Sequence, residues 1–316
     1  MLDLPFTPTM ATANTLTLAA APPTQERSMR SLVWRQFRRH YMAMAGTVIL
    51  LALVLGAVLV PVLSPYDPER SSMRERREPP SLAHPMGTDT LGRDILTRLL
   101  YGGRISLTIG LLATALGITI GTLIGATAGY YGGAVDNVLM RLTDLFIALP
   151  RIFMLIIMTL LMRSLEVPLL RAYGGVGGIV LILGILSWTG VARVVRGQFL
   201  GLKQKEFVEA ARTLGVRNAR IVFRHVLPNT ATPIIVAATL LVAATIIAES
   251  GLSFLGFGVQ PPTPTWGNML NGAQDEMRKG NWWMAVFPGL MIFLTVISIN
   301  YIGDGLRDAL DPRKLK

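Results

Sequence analysis

Long apolar runs, separated by short charged stretches, set the pattern of this chain. Segments free of Asp, Glu, Lys and Arg cover Tyr41–Tyr66, Ile105–Val135, Ala172–Ala192, Val226–Ala248 and Asn281–Gly303. Each supplies the roughly 20 residues that cross a hydrocarbon core of about 30 Å. A sixth, Leu145–Met162, is interrupted by Arg151 alone. The pattern predicts an all-α membrane protein of six transmembrane helices. The first covers about 41–63, the second 105–130, the fourth 176–195 and the fifth 230–249.

One segment between the fourth and fifth spans follows a different rule. Phe207, Ala210, Ala211 and Leu214 fall at i, i+3, i+4 and i+7, one face of an α-helix, with Glu209 beside them. Gly215 follows, where a helix often ends in a left-handed residue. Asn218 can cap a second short helix with Ala219, Val222, Phe223 and Val226 on its apolar face. Leu227-Pro228 marks a break, because proline cannot continue the hydrogen-bond ladder. This elbow reads either as an ordinary interhelical loop or as a docking site for another protein.

Composition strengthens the membrane reading. The 316 residues are 51% hydrophobic and 16% charged, where a soluble domain carries about 25% charged residues. The net charge of +11 raises the question of nucleic acid, but its placement answers it. Arg27, Arg30, Arg35, Arg38 and Arg39 precede the first span. Arg193, Arg196, Lys203, Lys205, Arg212, Arg217, Arg220 and Arg224 crowd the elbow, and Arg307, Arg313, Lys314 and Lys316 follow the last span. Six crossings put these three regions on one side, and the positive-inside rule makes that side the cytoplasm. The basic charge is a topology signal, with both termini cytoplasmic. Residues 1–40 divide into an Ala/Thr/Pro-rich tail, expected to be disordered, and a basic pre-membrane segment.

Local features sharpen individual spans. Gly117, Gly121, Gly125 and Gly129 repeat every four residues, a flat stripe that lets another helix approach closely in lipid. Arg141 and Asp144, three apart, are placed to pair on one helix face. Pro150 is a kink site, and Arg151 follows at membrane depth. Ionisable side chains there are costly and face a cavity or partner, so Arg151 either lines a translocation path with Asp144 or holds structure. The segment 64–104 is expected to be external. The segment Gly251–Gly280, apolar yet broken by Pro261, Pro262 and Pro264, predicts a hairpin or re-entrant cap packed on the outer mouth. Trp282 and Trp283 sit where an aromatic belt would anchor the sixth span.

Several chemistries are missing. The chain has no cysteine and no G-x-x-x-x-G-K-[ST] phosphate loop. His84 with Asp89 and Asp94 offers donors for a cation, but the intervening Gly87 and Gly92 favour a structural turn. No serine elbow or paired intramembrane carboxylate points to hydrolysis or proton coupling. A bundle without its own energy chemistry needs an external engine or conducts passively.

Four segments then resemble one family, the inner-membrane permease subunits of ABC importers of the dipeptide/oligopeptide/nickel class. They are His84–Asp94, the pair Phe207–Gly215 and Ile221–Pro228, Ser253–Asn268, and Gly303–Pro312. The likeness covers about residues 30–313. It implies residence in a bacterial inner membrane and partnership with a homologous second permease, two cytoplasmic ATP-binding subunits and an extracytoplasmic substrate-binding protein. It implies no cofactor on this chain, ATP being bound by the partners. Residues 41–104 would hold the first helix and external segment, 105–306 the five-helix permease core, and 307–316 a cytoplasmic tail. Within the core the loop 203–228 would couple to the ATPases through Phe207, Glu209, Ala210, Ala211, Gly215, Leu227 and Pro228. The competing reading is a stand-alone secondary carrier or channel, which would show an inverted repeat or paired broken helices; no clear repeat is visible.

Overall fold

The computed structural model describes residues 29–164 and 168–311. The tail expected over about the first 25 residues, and Arg313, Lys314 and Lys316, lie outside them. The basic pre-membrane stretch is a helix, α1 (Met29–Arg39), followed by α2 (Tyr41–Leu63), α3 (Ile95–Tyr131), α4 (Gly133–Ala148) and α5 (Arg151–Ser164). Next come α6 (Pro168–Leu186), α7 (Trp188–Leu202), α8 (Glu206–Thr213) and α9 (Asn218–Arg220). A π-helical turn (Ile221–Val226) and α10 (Leu227–Asn229) lead into α11 (Ala231–Phe254), α12 (Trp266–Met269), α13 (Ala273–Arg278) and α14 (Trp283–Ala309). No strand is present among the described residues.

Among the described residues, five helical stretches are long and apolar enough to cross a membrane, and a sixth counts only as a bent pair. That pair is α4 and α5, whose axes differ by 91°, so the kink site at Pro150 is a break between two helices. The cause is local. Pro150 pushes the preceding residue out of the helical region, and Leu149 is extended at φ −84°, ψ 135°.

α3 is the axis of the molecule. At 1.5 Å per residue its 37 residues reach about 55 Å, and it packs on α2, α6, α7 and α11. It starts ten residues before the expected second span, because Asp94 caps its first turn by accepting from the Thr97 N–H at 2.8 Å. Arg98 and Arg104 had hidden this part of the helix from a charge-free search.

The glycine stripe explains the closest contact. Gly117, Gly121, Gly125 and Gly129 face the α6–α7 rod. A methyl added at Gly121 would stand 2.7 Å from the Trp188 carbonyl oxygen, and one at Gly129 2.6 Å from Phe199 Cβ. At Gly125 it would collide with the Ala192 carbonyl. A second small-residue contact joins α2 to α14, where Gly46 lies on the Ser298 backbone and Gly305 on Ala43.

Candidate coupling surface

The two ends of α3 carry two different constructions. At its C-terminal end the elbow begins where α7 stops at Leu202. In α8 the acidic Glu206 and Glu209 occupy the first turn and Arg212 the last, matching the helix dipole. Gly215 takes φ +73°. Its N–H reaches the Arg212 carbonyl at 2.9 Å, and that of Val216 reaches Ala211 at 3.1 Å, the paired bonds of a Schellman cap.

Of the face read as a docking surface, Phe207, Ala210 and Leu214 are exposed and Ala211 alone turns inward. Val208 and Ala211 point inward, packed with Val195, Phe199, Ile221, Val226 and Tyr130. Phe207 and Leu214 point outward, 41% and 82% exposed, and Ala210 and Glu209 are exposed with them. The two alanines therefore serve different faces, because neighbours in a helix are about 100° apart. Phe223 adds an apolar side chain 59% exposed, and Lys205, Arg212, Arg217, Arg220 and Arg224 are exposed around it. The elbow thus exposes large apolar side chains on both arms, among side chains that are mostly cationic.

The second arm differs from expectation in two ways. Asn218 does not cap it: α9 starts after Arg217, without a side-chain cap. Asn218 Oδ1 instead accepts from the Tyr130 hydroxyl at 2.8 Å. Nor does Pro228 end the helical path. The wider π turn ends where the Leu227 N–H bonds to the Val222 carbonyl, and the chain stays helical through α10. A locally widened ladder accommodates a proline that has no N–H to give.

Ionic residues of α4 and α5 find partners across helices. Asp144 accepts from Arg193 at 2.5 Å, not from Arg141. Asp136 takes a two-pronged bond from Arg196. Arg151 donates to the Ser187 hydroxyl at 2.8 Å, at the junction of α6 and α7. Asp144 and Arg151 are thus tied to the same bent rod at separate points and do not meet each other.

At the opposite end lies the cap of residues 255–281, which the Trp266 side chain seals. Trp266 is 2% exposed, and its indole N–H donates to the Leu99 carbonyl at 2.9 Å. Thr265 and Asn268 form a capping box on α12. Beneath them sits Glu249 of α11, fully buried and accepting from Ser253 at 2.7 Å, with the Ser106 hydroxyl 3.4 Å away. A lone carboxylate ending an otherwise uncharged run is the signal that marks such a site; its partners are not readable locally.

The segment 64–94 is clipped to this cap. Arg77 meets Glu276 at 2.7 Å, while Lys279 and Asn281 also donate to Glu276. The hydrogen bond from Arg77, seconded by Lys279, holds the Glu276 carboxyl down to about 2. His84 bonds Asp94 at 2.9 Å and Arg93 bonds Asp89 at 2.7 Å. Those acids are spoken for by helix capping and arginine, and no cluster of three or more His, Cys, Asp or Glu fit to hold a metal exists among the described residues. Trp283 is also internal, 6% exposed and donating to the Thr88 carbonyl at 3.1 Å, so only Trp282 has the exposure expected of a belt residue.

Comparison with known proteins agrees with this architecture. Residues 117–316 match the family model described as "Binding-protein-dependent transport system inner membrane component". Residues 28–80 match the "N-terminal TM domain of oligopeptide transport permease C". A dipeptide transport system permease protein of Bacillus subtilis is 44% identical over 280 residues, covering 89% of this chain and 84% of that one. A glutathione transport system permease protein of Pectobacterium atrosepticum is 41% identical over 300 residues, covering 94% and 96%. Among solved structures, an inward-facing methionine ABC transporter aligns with a TM-score of 0.54 at 19% identity, over 66% of this chain and 93% of that one, which speaks for the fold. The chain belongs to the binding-protein-dependent transport system inner membrane components and is a membrane-spanning permease subunit of an ATP-driven importer.

Proposed function

We propose that this permease moves peptides or related small solutes inward, and that the elbow is the surface through which separate ATPase subunits drive it. The exposure of Phe207, Leu214 and Phe223 carries the reading. Large apolar side chains held out on both arms of the elbow are costly for a surface that stays in water. The relatives named for dipeptide and glutathione transport support the cargo class. Charge placement supports a cytoplasmic elbow and cytoplasmic termini, with the cap outside.

In this scheme a homologous second permease completes the pathway, of which this chain forms half. Two cytoplasmic subunits bind and hydrolyse ATP, and an extracytoplasmic binding protein delivers the cargo to the cap end. Residues 105–306 are the transport core. Arg151 and Asp144, held by Ser187 and Arg193, are candidates for lining the path. A stand-alone carrier fits less well, since the family is described as one component of a larger system.

Gly215→Asp tests the coupling face. It adds a Cβ where φ is +73° and a charge beside Leu214. Insertion and permease pairing stay intact while uptake of labelled di- and tripeptides by cells falls to background. Normal uptake by this variant overturns the coupling role, and no peptide uptake by the wild type overturns the cargo class.

A further inference from the structure

Tyr130 stands one residue before the end of α3, at the point where both arms of the elbow meet it. Its ring is buried in the cluster that holds Val208 and Ala211 of α8 and Ile221 and Val226 of the π turn. The Arg212 guanidinium of α8 lies over that ring at 5.4 Å from its centre. Its hydroxyl donates to Asn218 Oδ1 at 2.8 Å on the other arm. One side chain of α3 thus holds both halves of the elbow by different chemistry.

The choice made by Asn218 adds weight. Asparagine is a strong cap, and its side chain sits next to a helix start that lacks a side-chain cap. It bonds Tyr130 instead. The N-cap position falls on Arg217 and Asn218 lies inside the first turn, which leaves its side chain to bond across to α3. The neighbouring Gly129 packs on Phe199, so this end of α3 is also fixed to α7. The same helix carries, near its other end, the Leu99 carbonyl that takes the Trp266 bond of the cap.

We infer that Tyr130 is the positioning residue that makes the elbow and α3 move as one body, so that a push on the elbow is delivered to the cap. This rests on the elbow being the coupling surface. Its hydroxyl transmits; the ring chiefly fills the core.

The test uses the full complex in liposomes, with both permeases and the ATPases. Its readout is the ratio of ATP turnover with the binding protein present to that without it. Tyr130→Phe keeps the ring, so the ATPases still co-purify and turnover without the binding protein stays within about twofold of wild type. The stimulation ratio falls at least fivefold. Asn218→Leu, on the exposed side of the same bond, gives the same fall, and combining the two changes adds nothing further. Unchanged stimulation in Tyr130→Phe, or a fall there that Asn218→Leu does not share, overturns the inference. If Tyr130→Phe fails to assemble, Asn218→Leu alone decides. Absence of the ATPases from the wild-type complex would instead bring down the coupling reading beneath it.

Discussion

The cap and the elbow sit at opposite ends of one helix and invert the usual distribution of side chains. At the cap the polar groups are inside: Glu249 is fully buried, Glu276 nearly so, and both have several donors. At the elbow some large apolar groups are outside, Leu214 82% and Phe223 59% exposed, beyond the 49% and 47% of Leu255 and Met277 at the cap. A buried, fully bonded polar network gives a structure one arrangement, because any other strands its members without partners. An exposed apolar knob contributes little to its own subunit and is stabilised by covering. The difference teaches that the cap's buried polar groups are satisfied within this chain, while the elbow leaves apolar side chains uncovered, as the interface proposed for it requires.

Trp266→Ala is the largest test of that contrast. It opens a cavity under the cap and deprives the Leu99 carbonyl of its indole donor. Truncating a buried aromatic of this kind costs about 3–5 kcal/mol, read as a shifted unfolding midpoint of the purified subunit in detergent. A loss below about 1 kcal/mol would mean that the cap is loosely held and the contrast false.

The two ends also differ in how far they can be read from sequence. Spans, the glycine stripe and the turn at Gly215 are legible because each is a local pattern: an uncharged run, a four-residue repeat, a glycine after a periodic helix. Pairings between distant residues are not. Arg77 meets Glu276 across 199 positions and Tyr130 meets Asn218 across 88, and nothing beside Arg77 selects one acid over another. Periodicity found α8 and one of its apolar faces but missed the second, Val208 with Ala211, which packs on the core. Both Phe207/Leu214 and Val208/Ala211 are apolar, and periodicity cannot say which side meets the core. The early start of α3 escaped for a related reason: Arg98 looks like a loop residue until its guanidinium is seen donating to the Pro68 carbonyl at 2.9 Å.

An intermediate effect separates the ends by pH. The Glu276 carboxyl, held to about 2 by Arg77 and Lys279, sits below the ordinary glutamate value of about 4.3. A depressed carboxyl contributes stability that is full above its unfolded value and is lost as pH falls toward its folded one. Acidification from about pH 5 to pH 2 therefore lowers the hydrogen-exchange protection of residues 273–281, after correction for intrinsic exchange rates. Arg77→Gln flattens that response by removing the largest cause of the depression. An equally steep response in the variant would show that the clip between the 64–94 segment and the cap is not what the cap depends on.

The smallest effect on the folded subunit is expected at the elbow, and it is the most telling. Leu214 is largely surrounded by solvent, so Leu214→Ser should leave the unfolding midpoint within about 0.5 kcal/mol of wild type. It also keeps the Schellman cap, whose bonds are made by backbone alone. The affinity for the ATPase subunits should nevertheless fall at least tenfold, about 1.4 kcal/mol, in titrations of the reconstituted permease pair. Together the two readouts distinguish a core residue from an interface residue. Loss of stability without loss of affinity would place Leu214 in the subunit's own packing and make the elbow an ordinary loop. Loss of affinity alone means that the free energy stored in this apolar surface is released only on assembly, which is what a surface left unfinished within one chain requires.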